Sequence, residues 1–312
     1  MNVLDWLMEG DPAIQRLTCQ VVDGVNHIVY TEKGLVGMYL ERFDERTGLW
    51  GGGVYGPKWI STHYTLLELK YMEVDPMHPY YQRGILTLLD HEWRKLDMPK
   101  HHENQDVCVL GMILGLCAYG RLHDVRLYEI TDYLMRHQMS DGGWNCNWDS
   151  KRHPSEKSSL HTTLTVLEAF RDFMKYGYNY QTETLQRMSR QGAEFILSKR
   201  LYRSKSTGEI INPQFVQWHY PMRWKFDIYR ALEYFASVDE PYDVRMDEAL
   251  DLVVQKAKKG PIPKGPQYSG RFHFKLEDSK YGRFNTLRAL KILKAYDLAA
   301  YEKMLNSVHA FS

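Results

Sequence analysis

The sequence predicts an all-helical protein assembled from repeated helical hairpins. Three observations carry the prediction. A Thr-Leu pair recurs at a fixed offset, as Thr65-Leu66, Thr163-Leu164 and Thr286-Leu287. Each copy opens a segment that is apolar or small on several faces, and a more amphipathic, charged segment follows it. No run alternates with period two between turn residues for long enough to read as a strand.

Taken in order, residues 1–43 supply one helical pair, predicted over Pro12 to Val22 and His27 to Phe43. The inner helices are marked at His63, Leu110, His161, Phe226 and Phe284, which lie 47, 51, 65 and 58 residues apart. Phe226 before Ala231-Leu232 and Leu110 before Leu116 fit the register more loosely than the other three. Charged outer helices are predicted over Tyr81 to Leu96, His123 to Gln138 and Thr184 to Arg200. One such spacing is a two-helix unit with its loops, so about six hairpins are expected. The loops carry the turn chemistry, as in Gly48-Leu49-Trp50-Gly51-Gly52-Gly53 and Asp141-Gly142-Gly143-Trp144. Glycine permits the unusual dihedrals there, and tryptophan seals the gap between hairpins. Pro261-Ile262-Pro263-Lys264-Gly265-Pro266 reads as a long loop rather than a linker, because the repeat resumes after it. Residues 1–312 are therefore expected to form a single domain.

Composition narrows the function. The chain is 44% hydrophobic and 25% charged, with a formal net charge of +1, which leaves no electrostatic footprint for nucleic acid. The first ten residues lack the basic and apolar stretches of a secretory signal. The longest mostly apolar run, Val107 to Gly120, is too short to span a bilayer. Cysteines stand at 19, 108, 117 and 146 without a Cys-x-x-Cys pair, which suits free thiols in a reducing cytoplasm.

Gln138-Met139-Ser140-Asp141-Gly142-Gly143-Trp144 resembles the Gln-Trp repeat of squalene and hopene cyclases. Gly48-Leu49-Trp50 resembles a second copy, with Arg42 where the Gln would stand. Nearly the full chain resembles the superfamily of terpenoid cyclases and protein prenyltransferase β subunits. That resemblance implies an (α/α)6 toroid whose inner helices line a central cavity. No two aspartates are adjacent anywhere, so the Asp-x-Asp-Asp and Asp-Asp-x-x-Asp motifs of the cyclases are both missing. The prenyltransferases bind zinc with Asp-x-Cys at one inner helix start and His at the next. Asp106-Val107-Cys108 and His161-Thr162-Thr163-Leu164 resemble those segments, and the resemblance implies Asp106, Cys108 and His161 as ligands of Zn²⁺. Where the family has a diphosphate-binding Arg and Lys and a Tyr, this chain has Lys100, Glu103 and Val109, which speaks against prenyl transfer to a protein.

The ligand set is chemically coherent, since zinc accepts carboxylate, thiolate and imidazole and would leave a fourth position open. Each residue also has a plainer reading: Asp106 as a helix cap, Cys108 as a small buried hydrophobe, His161 as a cavity-lining side chain. His63 falls at the repeat position of His161, so both are expected at one level of the inner wall. Two histidines facing one cavity are expected to serve as acid and base, and the candidate catalytic residues are His63 and Asp227. Lys58, Trp59, Tyr64, Trp224, Tyr281, Arg283 and Asn285 stand near inner-helix starts and are expected to line the pocket. An aromatic wall suits a hydrophobic, isoprenoid-like ligand. The leading expectation is an enzyme of this superfamily with zinc. The alternatives are a carbohydrate-active (α/α)6 enzyme, which needs paired carboxylates, and a non-catalytic binding toroid.

Overall fold

A computed structural model describes residues 1–24, 30–93, 105–146 and 155–309. The described residues form thirteen α-helices and one short two-stranded ribbon. The N-terminal helices are α1 (Val3–Met8), α2 (Pro12–Asp23) and α3 (Gly34–Leu40). The strands β1 (Phe43–Asp44) and β2 (Leu49–Trp50) pair antiparallel and lead to α4 (Thr62–Tyr71) and α5 (Pro79–Glu92). Then come α6 (Val107–Tyr119), α7 (Arg126–Arg136), α8 (Leu160–Lys175) and α9 (Thr182–Leu197). The last four are α10 (Ile228–Ser237), α11 (Asp247–Ala257), α12 (Arg283–Tyr296) and α13 (Leu298–Leu305).

The predicted helices are present, and the charged ones are shorter than the periodicity suggests. The expected helix from Tyr81 to Leu96 runs to Glu92, and residues 94–96 lie outside the described residues. The expected helix from His27 to Phe43 is described from Gly34. Helix α1 was not anticipated, because its six residues are too few to show a period. Its start is set by Asn2, whose Oδ1 accepts the Asp5 N–H at 2.7 Å.

The chain divides into two compact units. One holds residues 1–41, 72–74 and 198–312, and therefore α1–α3 and α10–α13. The other holds residues 42–71 and 75–197, and therefore the ribbon and α4–α9. In both, burial alternates as the sequence predicted. Helix α4 is buried from Thr62 to Leu69, and α6 from Val109 to Tyr119, on every face. Helices α5, α7, α9 and α11 bury one stripe each, as outer helices should.

Two glycines let α6 and α8 approach closely. A Cβ on Gly111 would lie 3.3 Å from Thr165, and one on Gly115 would lie 3.8 Å from Ala169. Equal steps along both chains mean that α6 and α8 run parallel, with Cys108 level with Thr162. Beside Gly115, Lys70 of α4 forms an ion pair with the buried Asp172 of α8. Arg171 adds a second charge to that carboxylate at 2.8 Å, and together the two cations hold Asp172 below the usual carboxylate range despite its burial.

The repeat has a specific hydrogen-bond signature. The Trp50 N–H donates to Thr62 Oγ1, Trp144 N–H to Thr163 Oγ1, and Ile262 N–H to Thr286 Oγ1, each at 3.0 Å. The packing agrees for the first two repeats: Gly84 faces Trp50 and Leu66, while Gly192 faces Trp144 and Leu167. This equates Thr62 with Thr163 and His63 with Leu164. The expectation that His63 and His161 share one level is therefore corrected by three residues, nearly one helical turn. The loop-to-helix hydrogen bond decides the register, and the similar Thr-Leu strings do not reveal it. Among the described residues, no helix is long and apolar enough to cross a membrane.

Candidate active site

In the unit built from α4–α9, the starts of α6 and α8 and the loop before α8 bring a thiol pair together. Cys108 lies in the first turn of α6, and its N–H donates to Cys146 Sγ at 2.9 Å. The Cys108 thiol also hydrogen-bonds to Cys146, and Thr162 Oγ1 lies 3.6 Å from the same sulfur. These contacts act in opposite directions on the two thiols. The bond from Cys108 and those from Thr162 and the Cys108 N–H hold Cys146 below the usual thiol range. The same shared proton, with burial, pushes Cys108 well above it. Cys146 is the sulfur disposed to carry negative charge.

Cys146 is presented by a rigid loop. Gly142 takes a φ of +92°, and an added Cβ would meet Gln191 O at 2.7 Å, so only glycine fits there. Gln138 Nε2 donates to Gly142 O at 2.8 Å and to Met188 O at 3.0 Å. The buried Trp144 donates its indole N–H to Leu134 O at 2.7 Å, and its carbonyl accepts the Ser159 N–H at 2.8 Å.

An aromatic cluster stands next to the thiols. Cys108, Asp106 and Cys146 lie within electrostatic reach of Tyr55, whose hydroxyl burial pushes up in pKa. Tyr64 OH donates to Tyr55 OH at 3.1 Å, and Trp59 packs edge-on to Tyr64 at 4.7 Å. The His63 ring sits against both tyrosines, at 5.1 and 5.0 Å. Its Nε2 lies 3.4 Å from Met112 Sδ, and Nδ1 has no hydrogen-bond partner among the described residues. Complete burial, helped by the Lys58 ammonium, pushes the His63 pKa down to about 3. His63 is thus a neutral imidazole near neutral pH, and a general acid would need the protonated form. Lys58 itself is exposed and lies over the Trp59 ring at 5.6 Å.

The expected zinc ligands are only partly brought together. Asp106 occupies the N-cap position of α6, is exposed, and makes no capping bond to its helix. His161 is half-buried in the first turn of α8. The parallel packing puts both helix starts at one end, which suits the donor set. The Cys108 thiol, however, is directed to Cys146. Among the described residues, no three His, Cys, Asp or Glu side chains are grouped so as to hold a metal ion.

The remaining candidates lie in the other unit, where most of their polar groups are engaged locally, although Asp227 Oδ2 has no hydrogen-bond partner among the described residues. Asp227 is fully buried at the N-cap of α10, where Oδ1 accepts from Arg230 N–H at 2.7 Å and from Arg288 Nη2 at 3.0 Å. Arg288 also donates to Glu233 at 2.6 Å and to His219 O at 2.9 Å. Arg288 and the Arg230 N–H thus engage Asp227 through Oδ1. Asn285 donates to the carbonyls of Pro263 and Lys264, both at 3.0 Å. Arg283 Nε donates to Trp6 O at 3.1 Å, with the guanidinium 4.6 Å from the Trp6 ring. Tyr281 packs on Trp6 at 6.4 Å, and Lys225 lies over Trp224 at 4.2 Å.

Three residues of interest escaped the sequence reading. Cys146 follows Gly-Gly-Trp by two residues, and that anchored loop was the available signal. Tyr55 sits in the glycine-rich loop before α4. Glu277 accepts the N–H groups of Arg283 and Phe284, the latter at 3.3 Å, yet burial pushes its carboxyl pKa up to about 7. The fold and this cluster define a helical-hairpin protein with a paired-thiol, aromatic site. No family model matches the chain, and no curated protein matches it.

Proposed function

We propose that the chain is an enzyme of the terpenoid cyclase and prenyltransferase type that acts on a hydrophobic, isoprenoid-like molecule. Its site is the end of the α4–α9 unit where Tyr55, Trp59, His63 and Tyr64 stand beside Cys108 and Cys146. The observation that carries this reading is the buried His63 packed against Tyr55 and Tyr64, with Tyr55 in turn within electrostatic reach of the thiol pair. Apolar walls exclude water and suit a hydrocarbon ligand, while the sulfurs supply a nucleophile or a metal ligand. The full (α/α)6 toroid belongs to the same proposal, supported by the alternation of wholly buried and one-sided helices. The carbohydrate reading requires a free carboxylate pair, and Asp227 is held by Arg288.

Titration with farnesol, an isoprenoid alcohol, followed by tryptophan fluorescence tests the ligand class. Saturable quenching that weakens about tenfold in Trp59→Leu, roughly the loss of one large apolar contact, supports the proposal. Binding of oligosaccharides and none of farnesol would overturn it. Zinc is decided separately by metal analysis of the purified protein. Stoichiometric zinc that is lost in Cys108→Ala assigns the metal to Asp106, Cys108 and His161, and a metal-free protein removes it from the proposal.

A further inference from the structure

We propose that Cys108 and Cys146 are a redox-active dithiol, a site that closes reversibly to a disulfide by exchange with a small-molecule disulfide. The two cysteines stand 38 residues apart in sequence, and the Cys108 N–H donates to Cys146 Sγ at 2.9 Å, which brings the two residues together. Neither position is left to chance. Cys108 is in the first turn of a helix buried on every face, and Cys146 is two residues past the anchored Trp144. Both are partly exposed, so a small disulfide can reach them, whereas Cys117 is buried and Cys19 is exposed in the other unit. Disulfide geometry demands that the two Cβ atoms be close, and the contact from the Cys108 backbone to Cys146 Sγ already holds the two residues side by side.

The exchange with glutathione disulfide balances in two steps. Cys146 thiolate attacks one glutathione sulfur, the S–S bond breaks, and glutathione leaves as a thiolate that takes a proton from water. Cys108 then gives its proton to solvent, and its sulfur attacks Cys146 Sγ. The mixed disulfide breaks and releases a second glutathione. Two protein thiols are oxidised by two electrons, and one glutathione disulfide is reduced to two thiols. The bond formed would tie the Met139–Cys146 loop to the first turn of α6, beside Tyr55.

This inference does not depend on the isoprenoid reading, and its test separates the two. Full-length Cys19→Ser protein, reduced and then treated with EDTA, is incubated with glutathione disulfide under native conditions and mapped by mass spectrometry. The expected product has lost two hydrogens, carries no glutathione, and yields a dithiothreitol-sensitive peptide linking Cys108 to Cys146. In the Cys108→Ala variant, Cys146 should stop at the glutathione adduct. If both thiols persist, or each carries its own glutathione, or the link forms only in urea, the proposal is overturned. Farnesol binding is measured on the same reduced sample, so loss of one reading leaves the other standing or failing by its own result.

Discussion

At the scale of single residues, buried charge and buried neutrality set the stability. Arg288 is fully buried between Asp227 and Glu233, and its removal would strand a carboxylate of zero exposure. Arg288→Met should cost about 3–5 kcal/mol in urea unfolding, the usual loss when one partner of a buried pair goes. The double variant with Asp227→Asn should recover part of it. His63 gives a pH dependence of known sign. Its folded pKa of about 3 lies below the ordinary 6.5, so only the unfolded chain takes up the proton in between. That stability is complete above pH 6.5 and is lost as the pH falls, by up to about 1.4 kcal/mol per unit. His63→Leu, which places here the residue that the repeat carries at Leu164, should flatten the slope between pH 6.5 and 4 in thermal denaturation. Glu277 works the other way. Its raised pKa makes ionisation between pH 4.5 and about 7 unfavourable to folding, so Glu277→Gln should raise Tm above pH 7 and change little below pH 4.5. Residue types were legible in the sequence, because caps, glycines and cysteines have few possible duties. Partners were not: nothing local marks Cys146 as the neighbour of Cys108, or Arg288 as that of Asp227.

At the scale of the element, the unit that repeats is a loop hydrogen-bonded to an inner helix. The sequence showed the helices through periodicity and the loops through Gly-x-Trp, but not the offset between them. Similar strings around His63 and His161 suggested one alignment, whereas the backbone bonds to Thr62, Thr163 and Thr286 impose another. A hydroxyl accepting a buried N–H leaves no periodic trace, which is why the register escaped. The difference is measurable. Thr163→Val removes the acceptor of the buried Trp144 N–H and should destabilise by about 1–3 kcal/mol, the desolvation cost of an orphaned donor. Thr62→Val and Thr286→Val should cost similar amounts, and the three serine variants much less. Thr65, the match by string similarity, donates to the nearby Ile60 O at 3.3 Å, whereas the Trp50 N–H goes to Thr62, so Thr65→Val should be milder than Thr62→Val. Equal losses at Thr65 and Thr62 would refute the structural register.

At the scale of the whole chain, the helical character was legible, because each helix needs its own apolar stripe. The grouping into units was not, because it depends on segments far apart in sequence. Residues 1–41 belong with 198–312, and residues 72–74 join them through Arg16, which donates to Glu73 O at 2.7 Å. The first and last described segments are themselves paired. Val3 N–H donates to Ser307 O at 3.2 Å, His309 N–H donates to Met1 O at 3.1 Å, and Asn2 bridges Val308 in antiparallel fashion. A backbone paired across its two ends tolerates being joined there and opened at an exposed turn. The segment Lys205–Ile211 is exposed throughout, unlike α6. A circular permutant with a short Gly-Ser link between the ends, opened between Ser206 and Thr207, should therefore keep the parent helix content by circular dichroism. Its Tm should lie within a few degrees, about the shift expected for a 1 kcal/mol loss in a chain of this size. The same link with an opening between Leu114 and Gly115 severs a helix buried on every face and should abolish cooperative unfolding. If the permutant opened between Ser206 and Thr207 also loses cooperative unfolding, the ends do not tolerate being joined.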